Sequence, residues 1–144
     1  MDNRRCQVYY PGITPLIGDQ SDRRDLEAII SKIGTPDIII DDGGHMMGQQ
    51  QVSLGYLFRH LKAGGLYVIE DLLTSYSEGT SFNPTGTPHT TLKILQRMQA
   101  GEDFESEFMT RPEIEYLREQ AEFVAIEKGA RSEIAFIKKK ASAA

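Results

Sequence analysis

The apolar positions of the chain change period along its length, and each change marks an element. Pro15-Leu-Ile-Gly18 is a short apolar run stopped by glycine and predicts a short strand. Leu26, Ile29, Ile30 and Ile33 then fall at i, i+3, i+4 and i+7, the spacing that turns one helix stripe toward a core. Ser21 or Asp22 supplies the N-terminal cap, and Gly34 and Pro36 the stop. Ile38-Ile39-Ile40, between Asp37 and Asp41, is β-branched and apolar on both faces. It predicts a central strand of a parallel sheet, covered by helices on both sides. Leu54, Leu57, Phe58 and Leu61 repeat the helical spacing, Gly64-Gly65 closes that helix, and Leu66–Ile69 reads as a second buried strand. Strand, helix and strand in that order make a parallel βαβ crossover.

Farther on, the segment Leu73–Thr87, rich in Ser, Thr, Gly and Pro, predicts a long loop, which in a compact domain more often carries function than not. A third helix starts at Thr87-Pro88, turns Leu92, Leu95 and Met98 inward and ends at Gly101, and a fourth covers Pro112–Gln120. Glu122–Ile126 and Glu133–Ile137 alternate, and the short turn Lys128–Ser132 joins them as an antiparallel hairpin. The expected fold class is α/β, with a mostly parallel sheet ending in an antiparallel hairpin, in a single domain over residues 1–144.

Composition removes several function classes. With 40% hydrophobic and 26% charged residues the 144-residue chain is not a disordered one. No apolar run nears the ~20 residues of a membrane span, and no charged-then-apolar start marks a signal peptide. The single cysteine, Cys6, excludes a disulfide framework and a four-cysteine zinc site, and fits a reducing cytosol. The net charge of −5 argues against a nucleic-acid surface, and the dense basic run Lys138–Lys140 sits near the C-terminal end. A cytoplasmic protein with neither membrane nor nucleic acid as partner is expected.

The chemistry gathers at the strand ends. Asp41 and Asp42 follow the first buried strand, with His45 three positions beyond Asp42, and Glu70 and Asp71 follow the second. Ligands of open α/β sheets bind outside the carboxyl ends of the strands, and neighbouring strands stand ~4.8 Å apart. Asp42, Glu70 and Asp71 can therefore converge, and carboxylates that converge need a cation; hard oxygen ligands select Mg2+, Ca2+ or Mn2+. His45 could take a proton from a hydroxyl held there. Each acid also has a structural reading, and Asp41 is the first choice for capping the next helix. His60 reads as solvated, while His89, in the first turn of the third helix, stays open between a surface and a site role. Gly43-Gly44 permits a tight turn near a ligand or a plain strand-to-helix loop. Asp19, on the same rim, could accept from an exocyclic amine or cap the helix after it. Tyr76, Phe82 and His89 either cover a bound substrate or belong to an ordinary surface loop.

The stretch Ile38-Ile-Ile-Asp-Asp-Gly-Gly-His45, followed by Gly65-Leu-Tyr-Val-Ile-Glu-Asp-Leu72 and Thr74-Ser-Tyr76, resembles the metal-dependent, S-adenosylmethionine-dependent sugar O-methyltransferases of the macrocin and mycinamicin type. The resemblance implies a Rossmann-like methyltransferase sheet, Mg2+ held by Asp42, Glu70 and Asp71, and His45 as general base. The spacing agrees with the family's, Glu70 and Asp71 lying 28 and 29 positions beyond Asp42. Gly18-Asp-Gln-Ser-Asp22 is similar to the family's adenosine-binding turn, which makes Asp19, Gln20 and Ser21, with Asp42, the expected cofactor contacts. Gly44 departs from the family's usual serine. No Gly-x-Gly-x-Gly precedes Gly18, and the opening Met1–Cys6 is similar to the segment after the family's second strand, so the resemblance implies an N-terminally truncated sheet. It covers residues 1–76 most closely. The implied activity is methyl transfer to a hydroxyl of a glycosyl or polyketide-like small-molecule acceptor. The alternative is a non-catalytic module that needs a partner, a homo-oligomer or a complementing chain, to supply the missing strands. A Mg2+-dependent phosphoryl-transfer enzyme is disfavoured, because no phosphate-cradling loop is present.

Overall fold

The computed structural model describes residues 11–76 and 80–142; the readings of Met1–Cys6 lie outside the described residues. The element order is α1 (Arg23–Ile33), β1 (Ile38–Asp41), α2 (Met47–Leu57) continued by a 3-10 turn (Phe58–His60), β2 (Leu66–Ile69), a 3-10 helix (Leu72–Tyr76), α3 (Thr91–Gln99), α4 (Arg111–Gln120), β3 (Ala121–Lys128) and β4 (Glu133–Lys139). Asp22, not Ser21, caps α1: its carboxylate accepts the Arg24 amide. Thr110 and Glu113 form a reciprocal capping box at the start of α4, where Pro112 costs no hydrogen bond.

The strands form one sheet in the order β1-β2-β4-β3. β1 and β2 are parallel, with Ile38 opposite Leu66 and Asp41 opposite Ile69, as the crossover requires. β4 runs antiparallel to both β2 and β3, so the sheet is mixed rather than mostly parallel. The last two strands are the expected hairpin.

Two sequence expectations fail, for one physical reason. Pro15–Gly18 forms no strand, and β1 is an edge strand rather than a central one. Among the described residues neither has a strand to pair with on that side. Ile17 is 76% exposed, and Ile38 and Ile40, which share a face of β1, are 59% and 62% exposed. Tyr67, Ile69, Ala135, Ile137 and Val124 lie on the other face and form the core with Leu54, Phe58, Leu92, Leu95 and Leu117 from the helices. The described helices thus bury one face of the sheet, leaving Ile38, Ile40 and Phe123 exposed on the opposite one.

α2 is the central helix. It packs against α1, α3 and α4, and buries Met47 and every residue from Gln50 to Gly55. A Cβ at Gly55 would stand 3.1–3.3 Å from Met109 and Glu113, so glycine here lets α4 come close. Emptying the centre of this core, as in Leu54→Ala, costs about 2–5 kcal/mol at such sites. The basic run near the C-terminal end is structural. Lys139 is buried and donates to the carbonyls of Phe58, Arg59 and Leu61 at 3.3, 2.9 and 2.8 Å, capping the helical end that α2 reaches there.

α3 starts at Thr91, later than its Thr87-Pro88 signal. The Asn83 side chain closes residues 83–87 into a turn, accepting the Thr87 amide and donating to the Thr87 carbonyl, both at 3.0 Å. His89 therefore precedes the helix instead of lying in its first turn.

Candidate active site

Asp41, the last residue of β1, points into the protein rather than capping the next helix. Its carboxylate accepts from the Ser53 hydroxyl at 2.5 Å, the Gln20 amide at 3.1 Å and the Tyr67 phenol at 3.4 Å. Burial, joined by the Asp41 charge, pushes the Tyr67 phenol well above its usual range. Met46 takes the cap position of α2, its amide donating to Gln49 Oε1 at 3.4 Å. With Asp41 turned inward, the chain's next acid, Asp42, faces outward on the rim.

The loop between Asp42 and α2 is shaped by two glutamines. Gln20 Oε1 accepts the Gly44 amide at 2.8 Å, so one side chain links the loop to Asp41. A Cβ on Gly43 would stand 1.8 Å from Gln20 Oε1, and one on Gly44 would stand 2.0 Å from Gln49 Oε1. The glycine at position 44 thus leaves its space to the capping glutamine of α2.

The loop delivers His45 with φ of 56°, and the residue after Glu70, Asp71, has φ of 52°. Only these two described non-glycine residues are left-handed, a conformation that is uncommon for side-chain-bearing residues and gathers at functional sites. Here it turns both side chains toward one point. His45 Nε2 lies 3.9 Å from Asp42 Oδ1 and 3.7 Å from Asp71 Oδ2. One donor atom from each of the three falls within 4.8 Å of the others, and no other such group of acids, histidines and cysteines occurs among the described residues. Glu70 is outside this cluster; its backbone carries its observed contacts, the amide donating to the Asp41 carbonyl at 3.0 Å. His45 Nδ1 is buried and has no hydrogen-bond partner. The two hard carboxylate oxygens fit a small divalent cation such as Mg2+ or Mn2+, and the imidazole nitrogen beside them is free to take a proton.

The adenosine-side candidates lie on the same rim with duties already visible. Asp19 accepts both the amide and the hydroxyl of Ser21, at 2.8 and 2.6 Å, and these bonds hold its carboxyl below the usual range. A cleft of about 320 Å³ runs beside them, lined by Gln20, Asp41, Asp42, Gly43 and Tyr67 among others. A larger cavity of about 690 Å³ lies between α3, α4 and β3, bounded by Phe104, Leu117 and Val124, and none of the clustered residues lines it. Chemistry belongs with the cluster, so the smaller cleft is the relevant one.

The loop candidates separate. Phe82 offers its carbonyl to the Met47 amide at 2.9 Å, which docks its loop on the start of α2, close to His45. Tyr76 instead donates to Glu133 at 3.0 Å, and His89 faces Glu105 at 3.6 Å; neither joins the cluster. His60 lies 5.1 Å from the Tyr56 ring, and burial lowers its pKa.

Sequence reasoning missed the polar residues behind the site: Gln50, Ser53 and Tyr67. A signal for Gln50 was present, since it precedes Leu54 by four positions and Leu57 by seven and so continues the apolar stripe of α2. A glutamine on a core stripe has a polar partner to meet.

No family model matches the chain. It is 46% identical over 67 residues to a demethylmacrocin O-methyltransferase of Streptomyces fradiae, covering 46% of this chain and 17% of that protein. It is 39% identical over 88 residues to the mycinamicin VI 2''-O-methyltransferase of Micromonospora griseorubida, covering 60% and 22%. A tetracenomycin rhamnosyl 2'-O-methyltransferase of Streptomyces olivaceus matches at 36% over 91 residues, 63% and 24%. Among solved structures, the MycE methyltransferase of the mycinamycin pathway, in complex with Mg, SAH and mycinamycin VI, superposes with a TM-score of 0.70 at 29% identity, covering 96% of this chain and 34% of that one. The chain spans about a fifth of the length of the curated relatives it matches. No described helix is long and apolar enough to cross a membrane. In sequence and in fold, over that span, the chain is similar to the macrocin, mycinamicin and tetracenomycin sugar O-methyltransferases.

Proposed function

We propose that the chain carries the metal-and-base half of an S-adenosylmethionine-dependent O-methyltransferase site, acting on a hydroxyl of a sugar or similar small-molecule natural product. The observation that carries this reading is the meeting of Asp42, His45 and Asp71, two of them left-handed, at the ends of adjacent parallel strands. Asp42 and Asp71 hold Mg2+, with Glu70 as the third acid of the family pattern. When bound, the cation supplies positive charge beside the acceptor oxygen, which lowers the pKa of the hydroxyl. His45 Nε2, facing the same point, receives the hydroxyl proton, and Nδ1, sealed from solvent, does not compete for it. Gln20 lines the cleft beside Asp42, flanked in sequence by Asp19 and Ser21, so these three take the adenosine side of the cofactor and the remaining task is alignment of its methyl group with the acceptor oxygen. The acceptors named in the relatives, glycosylated natural products, give the acceptor class. One cysteine in 144 residues suits a reducing, cytoplasmic setting.

Calorimetric titration with Mg2+ and Mn2+ tests the site. Wild type is expected to bind, and Asp42→Asn and Asp71→Asn to lose affinity; equal affinity in all three would remove it.

A second reading has its own support. The exposed Ile38 and Ile40 on an edge strand suit a module completed by a second copy or by a complementing chain. Methyl transfer from radiolabelled S-adenosylmethionine by the chain alone would dismiss it, and transfer only on addition of another polypeptide would support it.

A further inference from the structure

We infer that Gln50 is a positioning residue for the Asp71 carboxylate, acting through the peptide that joins Glu70 to Asp71; this rests on the reading of Asp71 as part of the cation site. Gln50 has no exposed surface, and its Nε2 donates to the Glu70 carbonyl at 3.3 Å. That partner is an acceptor, so the amide nitrogen must face it and Oε1 must turn away, where it is buried without a partner. A leucine or methionine on the same stripe of α2 would pack against the core without burying an unpaired side-chain oxygen. Core packing therefore does not account for glutamine, and the bond to Glu70 does.

The geometry around Asp71 shows what that bond holds. The Glu70 amide donates to the Asp41 carbonyl at 3.0 Å, and the Glu70 carbonyl is taken by Gln50. The Asp71 carbonyl accepts the Thr74 hydroxyl at 3.2 Å. The peptides on both sides of Asp71 are thus pinned, and the residue between them sits at φ of 52°. Rotation of the 70–71 peptide would relax this φ and carry Oδ2 away from its place 3.7 Å from His45 Nε2. Gln50 is the side chain that blocks the rotation.

The test compares wild type with Gln50→Met and Gln50→Leu, which keep volume and remove the bond. Three quantities are read: melting temperature, the 13Cα and 13Cβ shifts of Asp71, and Mn2+ affinity by calorimetry. Expected are an unchanged or raised melting temperature, Asp71 shifts that leave the left-handed range, and Mn2+ affinity lower by roughly 10–100-fold, the usual loss when support behind a ligand is removed. Left-handed shifts in both variants would overturn the inference, as would Mn2+ affinity held at the wild-type level. Failure of both variants to fold would make Gln50 a core residue and would also overturn it. Asp42→Asn serves as the control for the underlying reading. If it binds Mn2+ no differently from wild type, the cation site falls, and the Asp71 shifts alone then decide the role of Gln50.

Discussion

His45 and Asp71 lie beyond the ends of neighbouring parallel strands in the same left-handed backbone conformation, with Nε2 of one 3.7 Å from Oδ2 of the other. Each position stores strain that a glycine would not, of order 1–3 kcal/mol per residue. The chain keeps a costly conformation twice, at the one place where the two side chains meet.

That strain yields a prediction in which stability and binding move in opposite directions. Asp71→Gly is expected to raise unfolding free energy by about 1 kcal/mol while abolishing divalent-cation binding. Urea unfolding and calorimetry on one preparation check it. A less stable variant would show that the left-handed turn is not strained.

Adjacent aspartates should behave unlike each other. Asp41→Ala leaves Ser53, Gln20 and Tyr67 without their shared acceptor and is expected to cost about 2–4 kcal/mol. Asp42→Ala, on the exposed rim, should cost less than about 0.5 kcal/mol. Guanidinium denaturation of the two variants would reveal an exchange of roles if the order were reversed.

The bond between Arg23 and Glu113 sets an acid limit. Burial raises the Glu113 pKa, but the Arg23 guanidinium, 2.7 Å away, and the Thr110 amide outweigh it and hold the carboxyl below its usual value. A carboxyl lowered in the folded state contributes stability that is complete above its unfolded pKa, ~4.3, and is lost as pH falls through the folded value. Melting temperature should therefore decline from about pH 4 downward. Glu113→Gln should lower it at pH 7 and flatten that decline; an unchanged acid slope would assign the loss to other carboxyls.

Edge exposure gives a solubility prediction. Ile38→Thr with Ile40→Thr removes apolar surface that the described structure does not bury, so folding stability should change by less than about 0.5 kcal/mol. Light scattering at rising concentration should show less association than wild type. A large drop in melting temperature would mean that both isoleucines are covered in solution.

Much of this was legible in the chain itself, because α1, β2 and the final hairpin each carry a pattern of one period and a turn that ends it. The site was legible in part. Asp42, His45 and Asp71 follow strands that any parallel crossover makes neighbours, so their shared rim followed from topology, whereas the left-handed backbone that aims His45 and Asp71 at one point, with Glu70 outside the cluster, did not. The burial of Asp41 did not show, since inward and outward acids differ in sequence only by the pleat. Nor did the edge position of β1, because three isoleucines read as two-faced burial whether or not anything covers the second face. The late start of α3 escaped for a local reason: Asn83 captures the Thr87 amide, and no propensity scale registers a partner four residues back.

The clip between Arg23 and Glu113 also has a consequence in time. Arg23 donates to both Glu113 oxygens and to the Phe108 carbonyl, which follow it by 90 and 85 positions. At a synthesis rate of ~5–20 residues per second, α1 waits roughly 5–18 s for its partner to be made. During that interval Gln20, three residues before Arg23, has Asp41 and Gly44 within its reach but no fastening of α1 to α4 behind it. The acidic loop is therefore translated early and fastened late. A ribosome-bound chain halted before Phe108 should show rapid amide exchange through α1 and the Gly43–Gly44 turn.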